Sequence, residues 1–184
     1  MNRAIELRGK QDIFTLNGRP VGLSVVDFWQ FEFSNLVDLL GYVAEFLVAK
    51  ALGKELPDNC NGWTHYDIEY RGKHIEVKAS SYYQPWKEGI EICENRVYSI
   101  RPSQRESNDI YVFCLLNGRN YAEANPMLLE NWEFYVVPTS VLDDECGENK
   151  TVALKRIRAF GGFGKNIRYD KIKETVDKIC DSLP

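Results

Sequence analysis

Two carboxylates and a lysine stand close together between Tyr66 and Lys78, and they are the residues of this sequence best suited to chemistry. The segment is typical of a β-hairpin that turns at Arg71-Gly72. With that turn, Asp67 is predicted to lie directly across from Glu76, with the two Cβ atoms about 4.5–5.5 Å apart. Lys78 shares the face of Glu76, because strand side chains alternate. Two facing carboxylates repel, so they call for a cation, a shared proton or diverging side chains.

This donor set suits a hard divalent cation. Asp67 and Glu76 could hold one or two Mg²⁺ or Mn²⁺ ions, with the backbone carbonyl of Val77 as an additional ligand. Lys78 could orient or deprotonate an attacking water and stabilise developing negative charge. Metal-assisted phosphodiester hydrolysis requires such a set. The alternatives are a solvated Glu-x-Lys pair on the surface, or a hairpin register that differs from the expected one.

Other metal chemistries find little support in the composition. The chain has only two histidines and five scattered cysteines with no Cys-x-x-Cys pair. These counts argue against a His-rich metal site, a zinc ribbon and a disulfide framework.

The same register predicts which hairpin residues share a face. One face is predicted to be apolar and to carry Tyr66, Ile68, Tyr70, Ile75 and Val77. The other is predicted to be polar and to carry Asp67, Glu69, His74, Glu76 and Lys78.

A helix that precedes the hairpin is predicted to bring in a further carboxylate. It is expected to begin near Ser34 as N-cap and to end near Leu52, with Gly53 as the stop signal. Its apolar residues recur at helical spacing. Glu45 falls on the shoulder of this stripe, at the rim of the core, where it could give a further metal or water contact. Alternatively, it could extend its carboxylate into solvent.

The remaining elements predict a mixed α/β domain with helices packed on a central sheet. Residues 5–30 are expected to form short extended pieces with a turn at Asn17-Gly18. The continuous apolar run 110–116 is typical of a central strand buried on both faces. Residues 132–137 predict another strand, and residues 169–182 a final amphipathic helix. A length of 184 residues and the absence of a linker favour one domain over residues 1–184.

Charge is distributed unevenly along the chain, whose formal net charge is −4. Residues 150–178 hold nine basic and three acidic side chains, which makes this segment +6 and the rest −10. Such a segment could follow nucleic-acid phosphates or could be a solvated surface. The candidate phosphate-binding residues are Lys155, Arg156, Arg158, Lys165 and Arg168. We find neither a membrane-length apolar run nor a signal peptide, so a cytoplasmic location is expected.

The carboxylates and the lysine also carry a resemblance. Glu45, Asp67 and the Glu76-Val77-Lys78 run resemble the PD-(D/E)XK nuclease superfamily, whose fold is called restriction-endonuclease-like. The closest likeness is to a poorly characterised branch in which the motif continues as Glu-Val-Lys-Ala-Ser-Ser-Tyr-Tyr-Gln-Pro-Trp. One departure is that Tyr66, rather than proline, precedes Asp67.

The resemblance implies a fold and a set of roles. The fold would be a central four- to five-stranded mixed sheet flanked by helices, and the activity Mg²⁺-dependent cleavage of DNA. Asp67 and Glu76 would be the metal-binding acids and Lys78 the catalytic lysine. Glu45 would be the helix glutamate, and Gln84 the glutamine that some members place after the lysine.

The leading functional hypothesis is therefore a Mg²⁺-dependent deoxyribonuclease that acts in restriction, repair or defence, with DNA as its partner. The chain is short for enclosing a duplex, which makes a homodimer plausible. A catalytically silent nucleic-acid-binding or assembly module with the same fold is the main alternative. An effector that becomes active only with another protein is a third.

Overall fold

The structure is a computed structural model that describes residues 11–33, 36–37, 39–54, 65–83, 95–120 and 122–183. Two compact units make up the chain, Met1–Leu39 and Leu40–Pro184. The expectation of one domain over residues 1–184 stays a prediction.

The first unit is a hairpin followed by a helix. Strands β1 (Ile13–Leu16) and β2 (Arg19–Ser24) are antiparallel, and helix α1 covers Val25–Glu32. The predicted turn is confirmed, because Asn17 and Gly18 both have positive φ, 50° and 75°. The extended structure expected up to residue 30 is wrong from Val25 onward. A capping box explains the difference: Ser24 Oγ accepts from the Asp27 N–H at 3.3 Å, and the Asp27 carboxylate accepts from the Ser24 N–H at 2.7 Å.

The second unit is built on a four-stranded mixed sheet in the order β3-β4-β6-β7. Its strands are β3 (Ile68–Tyr70), β4 (Lys73–Ser81), β6 (Ile110–Leu116) and β7 (Trp132–Pro138). β4 and β6 run parallel, whereas the two outer pairings are antiparallel. Strands β5 (Val97–Ser99) and β8 (Thr151–Ala153) pair separately. The predicted fold class, a mixed sheet flanked by helices, is confirmed.

The helices of this unit pack on both faces of the sheet. They are α2 (Leu40–Ala51), α3 (Pro102–Arg105), α4 (Thr139–Cys146), α5 (Leu154–Ile157) and α6 (Ile172–Ser182). α2 and α6 pack on one face, and α4, α5 and the β5–β8 pair pack on the other. No helix among the described residues is both long enough and apolar enough to cross a bilayer.

The predicted start of the glutamate-bearing helix is wrong. Its α-helical hydrogen bonding begins at Leu40, and Leu36 lies in a turn, whereas Ser34 lies outside the described residues. The apolar spacing continues upstream of the helix, so periodicity alone placed the start too early. The stop at Gly53 is confirmed: its φ of +75° suits glycine and ends the helix.

β6 lies at the centre of the sheet and separates two apolar clusters. All seven of its residues are buried, as the sequence predicts. Its even-numbered residues pack towards α2 and α6, and its odd-numbered residues face the opposite cluster. Because neighbouring residues of a sheet point to the same side, Glu76 and Lys78 share the face of their partners Tyr111 and Phe113.

The candidate hairpin has the expected turn and register. Arg71 and Gly72 have φ of 53° and 75°, and Ile68 pairs with Ile75. Ile68, Ile75 and Val77 lie in the predicted apolar cluster. Tyr66 departs from its predicted face, because its ring stacks on His74 with the ring centroids 3.9 Å apart. Tyr66 precedes β3, so strand alternation does not constrain it.

Candidate functional site

Asp67 forms hydrogen bonds with β4 where the pairing of β3 with β4 ends. The pairing of β3 with β4 ends at Ile75, whereas β4 continues to Ser81. The Asp67 N–H donates to the Ile75 carbonyl at 3.1 Å, and the Asp67 carboxylate accepts from the Val77 N–H at 2.7 Å. Asp67 thus bonds to the residues on either side of Glu76. The expected direct pairing of Asp67 with Glu76 across the hairpin does not form, because the pairing of β3 with β4 ends at Ile68 and Ile75.

Glu76 and Lys78 form an ion pair on the face of β4 that looks away from α2. The Lys78 Nζ donates to Glu76 Oε1. Glu76 is buried, with 5% of its surface exposed, and Lys78 is half-buried. The Val77 carbonyl points to the same side of the strand as its N–H, and therefore towards Asp67. Glu76 and Lys78 therefore lie next to each other on one face of β4, as the sequence analysis predicts.

Glu45 on α2 belongs to the same electrostatic group. Burial, followed by the charges of Asp67 and Glu76, raises the pKa of Glu45 to about 7 against the opposing charge of Lys78. An isolated glutamate has a pKa near 4.5. Glu45 is half-buried. The helix thus brings its carboxylate within electrostatic range of the hairpin, as the position on the shoulder of the apolar stripe predicts.

The two hairpin acids also have elevated pKa values. Burial raises the pKa of Glu76, the hydrogen bond from Lys78 lowers it, and the charge of Asp67 raises it. Asp67 is exposed when the whole residue is considered, yet desolvation of its carboxyl group raises its pKa, against the hydrogen bond from Val77 and the charge of Lys78. The three carboxyl groups share one lysine, so the group has a surplus of negative charge.

A divalent cation fits this group by charge and by ligand type. The donors are carboxylate oxygens and a backbone carbonyl, which Mg²⁺ and Mn²⁺ favour. Burial is the main cause of the raised pKa values of Glu45, Asp67 and Glu76, and a bound cation would offset the cost of ionising these acids. In the described part of the chain, no three His, Cys, Asp or Glu side chains form a ready-made metal site. The fit therefore rests on charge and chemistry.

Two polar residues near Glu76 escaped the sequence analysis. Asn108 is 5% exposed, and its side chain lowers the pKa of Glu76 through a hydrogen bond. Its amide also donates to the carbonyls of His65 and Gln104, at 3.0 and 2.8 Å. Tyr111, the β6 partner of Glu76, is fully buried, and its hydroxyl has no hydrogen-bond partner among the described residues. The sequence offers one sign of this: Tyr111 places a polar hydroxyl within the apolar run 110–116.

The five predicted phosphate-binding residues are all exposed, and the structure brings two of them together. Lys155 and Arg158 line one cavity with Arg119, which the sequence analysis missed. Arg156 instead contacts Glu145, at 3.6 Å between Nη2 and Oε2. Lys165 and Arg168 do not line this cavity.

Gln84, the remaining predicted site residue, lies outside the described residues. Comparison with models of protein families finds no match for this chain, and a search of curated proteins finds no significant match either.

Proposed function

We propose that this chain is a Mg²⁺- or Mn²⁺-dependent deoxyribonuclease that hydrolyses DNA phosphodiester bonds. The observation that carries the proposal is the electrostatic coupling of Glu45, Asp67, Glu76 and Lys78 across a helix and a hairpin. Acids beside one lysine suit such a reaction, because the acids could hold the ion and the lysine could stabilise charge on the phosphate. The resemblance of these residues to the PD-(D/E)XK nuclease superfamily supports the same activity. Restriction, repair or defence would be its setting.

Each residue has a distinct task in this proposal. Asp67, Glu76 and the Val77 carbonyl would hold the ion, with Glu45 contacting the ion or its water. The bound ion supplies a water of lowered pKa and neutralises charge on the phosphate. Lys78 would donate a hydrogen bond to the attacking water, which orients it, and would stabilise the negative charge that develops on the phosphate oxygens. The hydrogen bond from Val77 would hold the Asp67 carboxylate in place.

The Glu76–Lys78 ion pair favours a second candidate function. A lysine that neutralises a metal-binding acid is also what a silent nucleic-acid-binding module with the same fold would contain. Metal binding separates the two candidates. A nuclease should be stabilised by Mg²⁺ or Mn²⁺ in a way that depends on Asp67, whereas a silent module should show no such stabilisation.

The partner and the setting belong to the same proposal. DNA is the expected substrate, a homodimer would let two sites cut two strands, and the cytoplasm is the expected location. Sedimentation of the full chain with and without a DNA duplex would test the homodimer.

A cleavage assay tests the proposed activity directly. The full chain is incubated with supercoiled, linear, branched and single-stranded DNA in Mg²⁺, in Mn²⁺ or in EDTA. We expect nicking or cutting of at least one DNA form that EDTA abolishes, and a loss of roughly 100-fold or more in Lys78→Ala. Lys178→Ala is the matched control, since Lys178 is an exposed lysine on α6 and should leave cleavage unchanged. Undiminished cleavage by a correctly folded Lys78→Ala would refute the mechanism.

A further inference from the structure

A basic cavity of about 370 Å³ lies at the end of β4, next to Tyr82. Tyr82 is six residues beyond Glu76. The cavity is lined by Tyr82, Asn95, Arg119, Lys155 and Arg158. Among the described residues of this lining, the charged ones are Arg119, Lys155 and Arg158, and all three are basic. The five residues come from four separate parts of the sequence, so only the folded chain brings Arg119 to Lys155 and Arg158.

Tyr82 fixes the positions of the two arginines. Its ring is 6% exposed and packs in the apolar cluster. The guanidinium of Arg119 lies over this ring, 5.4 Å from its centroid, and the Arg158 guanidinium donates to the Tyr82 hydroxyl at 3.4 Å. The buried Tyr82 side chain therefore contacts the Arg119 guanidinium with its ring face and the Arg158 guanidinium with its hydroxyl.

Arg158 is held further by two residues of β7. Its Nε donates to the Tyr135 hydroxyl at 2.8 Å, and its Nη2 donates to the Glu133 carboxylate at 2.8 Å. Glu133 therefore pairs with Arg158 at the edge of the cavity. A guanidinium held in this way loses little conformational freedom when it binds a further anion.

Phosphate is the anion that this arrangement suits. Arginine forks bind phosphate oxygens through two parallel hydrogen bonds, and lysine adds a flexible point charge. A cavity of this size also lies within the ordinary range for ligand sites. Lys155 is exposed and can approach a bound phosphate from solvent.

We propose that this cavity binds a phosphate group of the nucleic-acid strand, held by Arg119, Lys155 and Arg158. The inference rests on the proposed function in that the same strand would reach the Asp67–Glu76–Lys78 site. Tyr82 directly follows β4 and is six residues after Glu76, which is about 20 Å of extended chain. This length corresponds to a rise of about six base pairs along the axis of B-form DNA. The cavity would anchor the substrate to one side of the scissile bond.

A binding experiment in EDTA tests the cavity without any cleavage. The affinity of the full chain for a labelled 20-base-pair duplex is measured by fluorescence anisotropy at several salt concentrations. We expect Lys155→Met to weaken binding about five- to tenfold at low salt, and to reduce the salt slope by about one. The matched control Lys178→Met removes one lysine from α6, on the opposite face of the sheet, and should stay within twofold of the wild type.

A second variant and a second ligand complete the test. Arg119→Lys keeps the charge but loses the fork, so we expect an intermediate loss of affinity. Isothermal titration with inorganic phosphate shows whether the cavity prefers a free anion. Phosphate binding that Lys155→Met abolishes, together with unchanged DNA affinity, would overturn the strand assignment. Equal DNA affinity in Lys155→Met and Lys178→Met would overturn it as well.

These outcomes are distinguishable from failure of the proposed function. Loss of cleavage in Lys78→Ala, together with unchanged DNA affinity in Lys155→Met, would retain the nuclease and remove the phosphate site. DNA affinity that depends on Lys155, in a chain that cuts no DNA form, would support the phosphate site and favour the silent module.

Discussion

The Asp67 carboxylate accepts a hydrogen bond from the backbone N–H of Val77 at 2.7 Å. The bond ties the residue before β3 to the part of β4 that β3 no longer covers. It satisfies a backbone donor of a residue that is only 6% exposed, and it places a charged acid beside Glu76. The Asp67 side chain therefore contributes both to the stability of the hairpin and to the candidate metal site.

Substitution of Asp67 should separate these two roles. Asn keeps an oxygen that can accept from Val77, so Asp67→Asn should fold with a near wild-type free energy of unfolding. Asp67→Ala leaves the N–H unpaired and should lower that free energy by about 1–3 kcal/mol. Both variants should lose the stabilisation by Mg²⁺, which for the wild type should reach about 1.4 kcal/mol at ten times the Kd. Urea unfolding with Mg²⁺ or EDTA measures both effects, and full Mg²⁺ stabilisation of Asp67→Asn would contradict the metal site.

Glu45 should make metal-free stability depend on pH. Its pKa is raised to about 7 in the folded chain, against 4.5 for an isolated glutamate. Between these values the folded state binds more protons than the unfolded state, so stability falls as pH rises from about 4.5 to about 7. After allowance for solvent screening at this half-exposed position, the loss should be on the order of 1–2 kcal/mol.

Glu45→Gln provides the comparison for this pH effect. Glutamine cannot ionise, so the variant should show a shallower fall in stability when unfolding is measured in EDTA at pH 5 and pH 8. Asp67 and Glu76 also have raised pKa values and should leave a remaining slope of the same sign. An identical pH profile for Glu45→Gln and the wild type would show that the pKa of Glu45 is not raised in the folded chain.

Tyr111 and Tyr98 form a matched pair for the cost of a buried hydroxyl. Tyr111 is fully buried and its hydroxyl has no partner among the described residues, whereas the Tyr98 hydroxyl donates to the Cys114 carbonyl at 3.3 Å. Tyr111→Phe should therefore leave the free energy of unfolding unchanged or raise it by about 1 kcal/mol. Tyr98→Phe should lower it by about 1 kcal/mol. Chemical denaturation measures both, and a loss in Tyr111→Phe would indicate that this hydroxyl interacts with the Glu76 group.

Gly164 should resist substitution because a methyl group has no room there. A Cβ at Gly164 would overlap the Ile157 carbonyl and press on the backbone of Arg158, whereas a Cβ at Gly161 would meet nothing within 4 Å. Gly164→Ala should cost about 1–3 kcal/mol of unfolding free energy, and Gly161→Ala much less. Thermal unfolding compares the two, and equal stability would show that the loop relaxes. Displacement of Arg158 should also weaken DNA binding in Gly164→Ala.

The hairpin register and the composition of the site could be predicted because they depend on local rules. Turn chemistry at Arg71-Gly72 sets the pairing, and strand alternation then places Glu76 and Lys78 on one face. Helical periodicity placed Glu45 at the rim of the core in the same way. The start of α2, the helical state of residues 25–30 and the stacking of Tyr66 on His74 escaped prediction. The helical state of residues 25–30 depends on the Ser24–Asp27 cap, and the position of Tyr66 depends on a ring contact. The start of α2 was misplaced because the apolar spacing continues upstream of the helix.

The sequence by itself determined the residue types of the candidate site, since charge spacing and alternation within one hairpin fix which side chains are neighbours. Only the tertiary structure decided which distant residues join them. Parallel pairing of β4 with β6 puts Tyr111 beside Glu76, and packing around Tyr82 brings Arg119 to Lys155 and Arg158. Contacts between residues far apart along the chain depend on how whole elements pack, and no short-range pattern in the sequence encodes them.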